Sequence, residues 1–214
     1  MSHRPLVGRW SLAEGFCWTL ALISLSAWAA LHLSAAAGAR HELDRFAALE
    51  AAYQLETGMP DHSLWSPARI RAWQSTVNDP APAPLGVLRI PRLRLEAPLL
   101  GSTDEATLDR GLGHIEDTAP PGTDGNTGIA GHRDGFFRVL KDITEGDTIE
   151  LQTLAGRETY RVERTWIVEP EDVSVLDPTP SRSLTLVTCY PFYFVGSAPQ
   201  RFIVRAVSVG NTDQ

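Results

Sequence analysis

Thr185-Leu186-Val187-Thr188-Cys189 is an apolar, β-branched run that closes on a thiol. Such a run reads as a buried strand, and its cysteine falls where the strand gives way to a loop. Twelve residues on, Arg201-Phe202-Ile203-Val204 opens a second apolar run. The intervening loop, Tyr190 to Gln200, is long enough for the two runs to pair side by side, which brings Arg201 beside Cys189. Upstream, Ile129-Ala130-Gly131-His132 is a third run, ending on a histidine.

Working outward, the chain from Leu85 onward is a series of short β-type runs separated by turn residues. Strands are expected at Gly86 to Ile90, Leu95 to Leu100, Thr127 to His132, Thr148 to Gln152, Thr159 to Val168, Ser183 to Cys189 and Arg201 to Val209. Helical turns are expected at Asp104 to Arg110 and Phe136 to Ile143. The pattern predicts a mainly β domain, a barrel or sandwich with small helical insertions. No internal repeat and no Gly-rich phosphate loop interrupts it.

The segment Gly15 to Ala39 contains no Asp, Glu, Lys or Arg, and Phe16 to Leu33 is dominated by Leu, Ala, Ile and Trp. About 20 apolar residues span a bilayer as a helix. The expected organisation is a cytoplasmic N-terminus (1–14), a transmembrane signal anchor (15–39), a juxtamembrane helix and Pro-rich linker (40–84), a catalytic domain (85–209) and a short tail (210–214). Arg4 and Arg9 before the segment lean the N-terminus inward. Ala37-Gly38-Ala39 has the small residues of a signal-peptide cleavage site, and both readings export the domain. Within the linker, Arg40 to Glu56 reads as a polar helix, Pro67 to Ser75 as a short one, and Asn78 to Pro84 as extended chain.

Export gives the cysteine its meaning. Cys17 lies inside the apolar segment and reads as a small packing residue, so Cys189 has no disulfide partner. An unpaired thiol outside the cytoplasm points to nucleophilic catalysis, which needs a proton acceptor and an oxyanion donor. His132 suits the first role and Arg201 the second. The net charge of −7 argues against a nucleic-acid partner.

The segments Gly125-Asn126-Thr127-Gly128-Ile129-Ala130-Gly131-His132-Arg133-Asp134, Thr185 to Cys189 and Arg201 to Val204 together resemble the signature motifs of the sortase family, membrane-anchored bacterial cysteine transpeptidases. The resemblance continues in Ile90-Pro91, in Gly113-His114 followed by Thr118 to Gly122, and in Phe137 to Leu140. It implies a sortase-like closed β-barrel in which Cys189 attacks a backbone carbonyl of an LPxTG-like sorting signal on an exported protein and forms a thioacyl enzyme. An amine acceptor, whose identity the sequence leaves open, resolves it. By the same carry-over His132 is the general acid and base, Arg201 stabilises the oxyanion, Thr188 belongs to the substrate pocket and His114 is an auxiliary residue. No cofactor or metal is implied. Glu169, Glu171 and Asp172 read as an exposed acidic loop rather than a calcium site. Asp79-Pro80 is followed by Ala81, so the aromatic plug of pilus-building sortases is missing. The GNTGIAGHRD and TCYPF stretches look most like the sortases of Gram-negative bacteria, which implies an inner-membrane enzyme facing the periplasm.

Two rival readings remain. A cysteine peptidase or L,D-transpeptidase acting on cell-wall peptides is the nearer one, although the latter would be expected to carry Ser-x-Gly-Cys with its histidine close upstream. The other is a tethered β-domain that binds exported proteins without chemistry.

Overall fold

A computed structural model describes residues 15, 17–26, 60–76, 83–193 and 196–211. Residues 15 and 17–26 are helical. Among the described residues no helix is long and apolar enough to cross a membrane. Most of the expected anchor, and the expected helix from Arg40 to Glu56, lie outside the described residues.

Eight strands close into a barrel in the order β1-β2-β3-β4-β7-β8-β6-β5. They are β1 (Gly86–Ile90), β2 (Leu95–Leu100), β3 (Leu112–His114), β4 (Asn126–Ala130), β5 (Thr148–Thr153), β6 (Gly156–Val168), β7 (Ser183–Tyr190) and β8 (Gln200–Asn211). Two helices, α1 (Pro67–Thr76) and α2 (Glu105–Arg110), and four short 3-10 turns complete the described fold. Closure removes the open strand edges that would otherwise present unpaired backbone groups.

Alternation explains the barrel wall. β5 buries Ile149 and Leu151 while Glu150 and Gln152 stay half-buried. Leu88, Ile90, Ala97, Leu99, Leu112, Ile129, Leu184, Leu186, Val204 and Ala206 fill the interior from the other strands, and Phe137 and Leu140 join them from a 3-10 turn. β6 is long enough to serve both β5 and β8 because two register shifts, at Thr159/Tyr160 and Val162/Arg164, let it bend between them.

The seven expected strands are all present, β1 and β2 with the expected bounds and the other five with shifted ends, and an eighth, β3, was not expected, since three residues are too few to show a period. The expected strand through His132 stops at Ala130. There the His132 carbonyl leaves the ladder and accepts from the amides of Gly135 and Phe137, each at 3.2 Å, which starts the 3-10 turn Phe136–Asp142. Gly131 is needed at this corner because a Cβ would lie 2.6 Å from Cδ2 of Phe137 and 2.9 Å from Leu112. A Gly131→Ala variant should therefore lose about 1–3 kcal/mol of stability through overpacking. Urea denaturation measures it, and an unchanged midpoint would show that Phe137 does not fix this corner.

Candidate active site

β7 sits between β4, its parallel neighbour, and β8, its antiparallel one. Cys189 pairs directly with Arg201, Val187 with Ile203 and Thr185 with Arg205. On the other side Ala130 pairs with Val187. His132 follows Ala130, the last residue of β4, by two residues, so it lies just past the end of the strand beside β7, while Cys189 and Arg201 form a cross-strand pair on the other side. Leu184, Leu186, Val204 and Ala206 belong to the core, so their odd-numbered neighbours, Cys189 and Arg201 included, face the outside of the barrel. The expected side-by-side pairing of Cys189 and Arg201 is what the strands form.

The roof over this outer face is the β6–β7 connection. Its 3-10 turn, Val173–Leu176, buries Val175, and Leu176 approaches Gly128 so closely that a Cβ there would lie 3.0 Å from Leu176 Cδ2. The Val175 carbonyl accepts from Asn126 Nδ2 (3.3 Å) and Arg205 Nη2 (2.8 Å), and the Thr185 hydroxyl steadies the Asn126 amide by donating to its Oδ1 at 2.7 Å. Asn126 Nδ2 also donates to the Asp177 carbonyl at 3.1 Å. Arg205 is 9% exposed, and its Nε has no partner. Burial, and secondarily Arg164, push its guanidinium below the ordinary arginine range. Arg205 thus anchors the loop, whereas Arg201, paired with Cys189, is half-buried and donates from Nη1 to the Gln200 carbonyl (3.1 Å).

The β7–β8 loop is held from the histidine side. Arg133 donates to the carbonyls of Pro191 (3.0 Å) and Gly196 (2.7 Å), and Arg138 to that of Phe192. Thr188 is 2% exposed and donates to the Gly131 carbonyl at 2.7 Å. Its side chain lies on the opposite face from Cys189 and ties β7 to the corner that carries His132. The Nε2 of His114 bonds within the following loop, to the Ala119 carbonyl and Thr118 Oγ1, both at 3.1 Å.

The His132 side chain is 16% exposed, with Nε2 buried and lacking a hydrogen-bond partner, so that nitrogen does not bond the Cys189 thiol. Burial, then the nearby Arg69 guanidinium, hold His132 below the usual imidazole range. Glu105, Asp109 and His132 bring three ligand-type atoms within 4.8 Å of one another, but Arg69 already lies against both carboxylates. In the roof, Glu169 accepts from Gln200 at 3.1 Å and Asp172 caps the 3-10 turn through Ser174.

A closed barrel with a thiol and a guanidinium paired on neighbouring strands, and an imidazole just past the end of the strand on the other side, has the parts of a cysteine-dependent acyl-transfer site. The sortase domain model matches residues 88–209, and the chain belongs to the sortase family. Sortase D of Bacillus subtilis is 38% identical over 120 residues, which cover 56% of this chain and 61% of that protein. The match thus spans less than two thirds of that relative. Sortase E1 from Streptomyces coelicolor, solved with a tripeptide in its active site, superposes with a TM-score of 0.54 at 31% identity, over 59% of this chain and 88% of that one. A Clostridium perfringens sortase D5 transpeptidase shares the fold at a TM-score of 0.57 and 22% identity, over 79% and 98% of the two chains.

Sequence reasoning did not single out Arg69, Glu105, Asp109 or the acceptor at Val175. Asn126 was within reach, since an amide inside a Gly-Asn-Thr-Gly run calls for a partner. If Arg205 anchors the roof, Arg205→Ala should raise hydrogen exchange at residues 173–177 by about 10- to 100-fold, as expected for a hydrogen bond from a charged donor. Unchanged protection there would remove Arg205 from that role.

Proposed function

We propose that this chain is a membrane-anchored cysteine transpeptidase that cleaves an LPxTG-like sorting signal and transfers the exported protein to an amine acceptor. The observation that carries the reading is the direct pairing of Cys189 with Arg201 across β7 and β8, with His132 just past the end of β4, the other neighbour of β7. Family membership supports it. The tripeptide in the active site of the Streptomyces coelicolor relative is consistent with a peptide substrate.

In this scheme neutral His132 takes the Cys189 thiol proton, the resulting thiolate adds to the carbonyl carbon of the scissile peptide, and the carbonyl oxygen becomes an oxyanion beside Arg201. Collapse of the tetrahedral intermediate breaks the C–N bond. The departing amine takes a proton from His132, leaving a thioester on Cys189. An incoming amine attacks the thioester and gives a proton to His132, and the expelled Cys189 thiolate recovers that proton. The neutral imidazole favoured by burial is the form that accepts a proton. Turning its ring toward Cys189 is the motion the reaction requires. Thr188 contributes by holding the His132 corner against β7, and His114 by holding the Thr118–Ala119 loop. The roof over residues 169–182 walls the substrate face.

The segment 15–39 is the anchor in this proposal. It places the domain outside the cytoplasm, in the periplasm if the Gram-negative resemblance is followed, where Cys189 remains unpaired. Reporter fusions after Gln214 should be active only outside the cytoplasm. A cytoplasmic C-terminus would overturn the localisation.

The chemistry is tested by intact-mass detection of an acyl enzyme with an LPxTG-type peptide. Cys189→Ala should abolish both the adduct and transfer, and substantial turnover by that variant would end the proposal. Arg201→Ala should lower kcat/KM by about 10²- to 10³-fold, the usual cost of losing an oxyanion donor. Arg205→Ala should cost far less, and chiefly in KM, because it lies four residues, or roughly 13 Å, further along β8. A larger loss at Arg205 would reverse the assignment.

A further inference from the structure

Four charged groups from three segments surround the His132 ring. They are Arg69 on α1, Glu105 and Asp109 on α2, and Asp134 in the turn after the histidine. His132 Nε2 lies 3.5 Å from Glu105 Oε1 and 4.0 Å from Asp109 Oδ1, close enough for both carboxylates to pair with an imidazolium. They are already engaged. Arg69 Nη1 donates to Asp109 and, at 3.4 Å, to Glu105, while its Nε reaches Asp134 Oδ1 at 3.3 Å.

The helix that carries this arginine is fixed against the barrel. Ser66 donates its amide to the Asp134 carbonyl (3.1 Å) and its hydroxyl to Asp134 Oδ2 (2.8 Å). Trp73 is buried, and the Trp65 ring meets Phe136 edge-on at 4.7 Å. Arg69 is therefore held where a second cation, a protonated His132, would otherwise be stabilised.

We propose that Arg69 is a positioning residue for transpeptidation: by engaging Glu105, Asp109 and Asp134 it keeps those carboxylates from capturing His132, so the ring stays neutral and free to turn to Cys189. The proposal rests on His132 serving as the acid and base. Burial and Arg69 lower the His132 pKa, while Glu105, Asp134 and Asp109 raise it. Removing Arg69 deletes a lowering cause and leaves three raising ones. The neutral ring is then lost at a higher pH, and the acidic limb of kcat/KM moves up with it. A segment outside the barrel thereby sets the charge of the acid and base.

The test is an NMR titration of His132 in the full-length protein, which needs no turnover, run beside the pH profile of kcat/KM. Arg69→Gln should raise the His132 pKa by about one unit or more, the usual size of a charge effect at this range, and shift the acidic limb by the same amount. Asp109→Asn, which leaves the Ser66–Asp134 bonds in place, should move the titration downward. That variant decides the matter if Arg69→Gln undocks α1. An unmoved titration in Arg69→Gln with α1 still docked, or an upward shift in Asp109→Asn, would overturn the proposal. A moved titration with an unmoved acidic limb would overturn the positioning role and show instead that His132 is not the base.

Discussion

The register of β7 between its two neighbours is the constraint from which the rest of the site follows. A slip of one residue would turn Cys189 into the barrel and bring Thr188 and Leu186 to the outer face. Leu184 and Leu186 prevent that slip, because both are completely buried in the core and a polar face cannot replace them without large cost. The same alternation sets Arg201 beside the thiol and puts Arg205 under the roof. The pairing of thiol and guanidinium is a by-product of core packing.

Much of this was legible in the sequence because strands announce themselves by period and composition. The Thr-Leu-Val-Thr-Cys run is a buried strand with its thiol at the exposed end, and the spacing to Arg201 is enough for antiparallel return. β3 was not legible, since Leu112–His114 is too short to carry a period and is recruited by its neighbours β2 and β4. The end of β4 was misplaced for a related reason. Apolar character continues to Gly131, but the backbone has already turned to feed the next 3-10 turn, and sequence pattern does not see where a carbonyl points.

The polar environment of the site was the least legible part. Arg69 meets Asp109 across 40 positions and Asp134 across 65, and Arg205 meets the Val175 carbonyl across 30. No local periodicity encodes such pairs, which exist only once the barrel has closed. They also differ in kind. The Arg69 group balances charge around an ionisable ring, where each partner changes what the ring holds. The Arg205 guanidinium meets only neutral oxygens, the Val175 carbonyl and the Ser183 hydroxyl, and has one nitrogen left over, so it acts by position and by desolvation.

What Asn126 and Arg205 grip at position 175 is a main-chain oxygen, which every amino acid possesses. The clasp therefore demands an apolar side chain small enough to bury there and little else of the roof. At position 177 too, the atom that Asn126 holds is a main-chain carbonyl. The connection between β6 and β7 is in that sense an interchangeable part: a loop of different sequence and preference can be seated on the same two donors, leaving the thiol and guanidinium pair of β7 and β8 undisturbed.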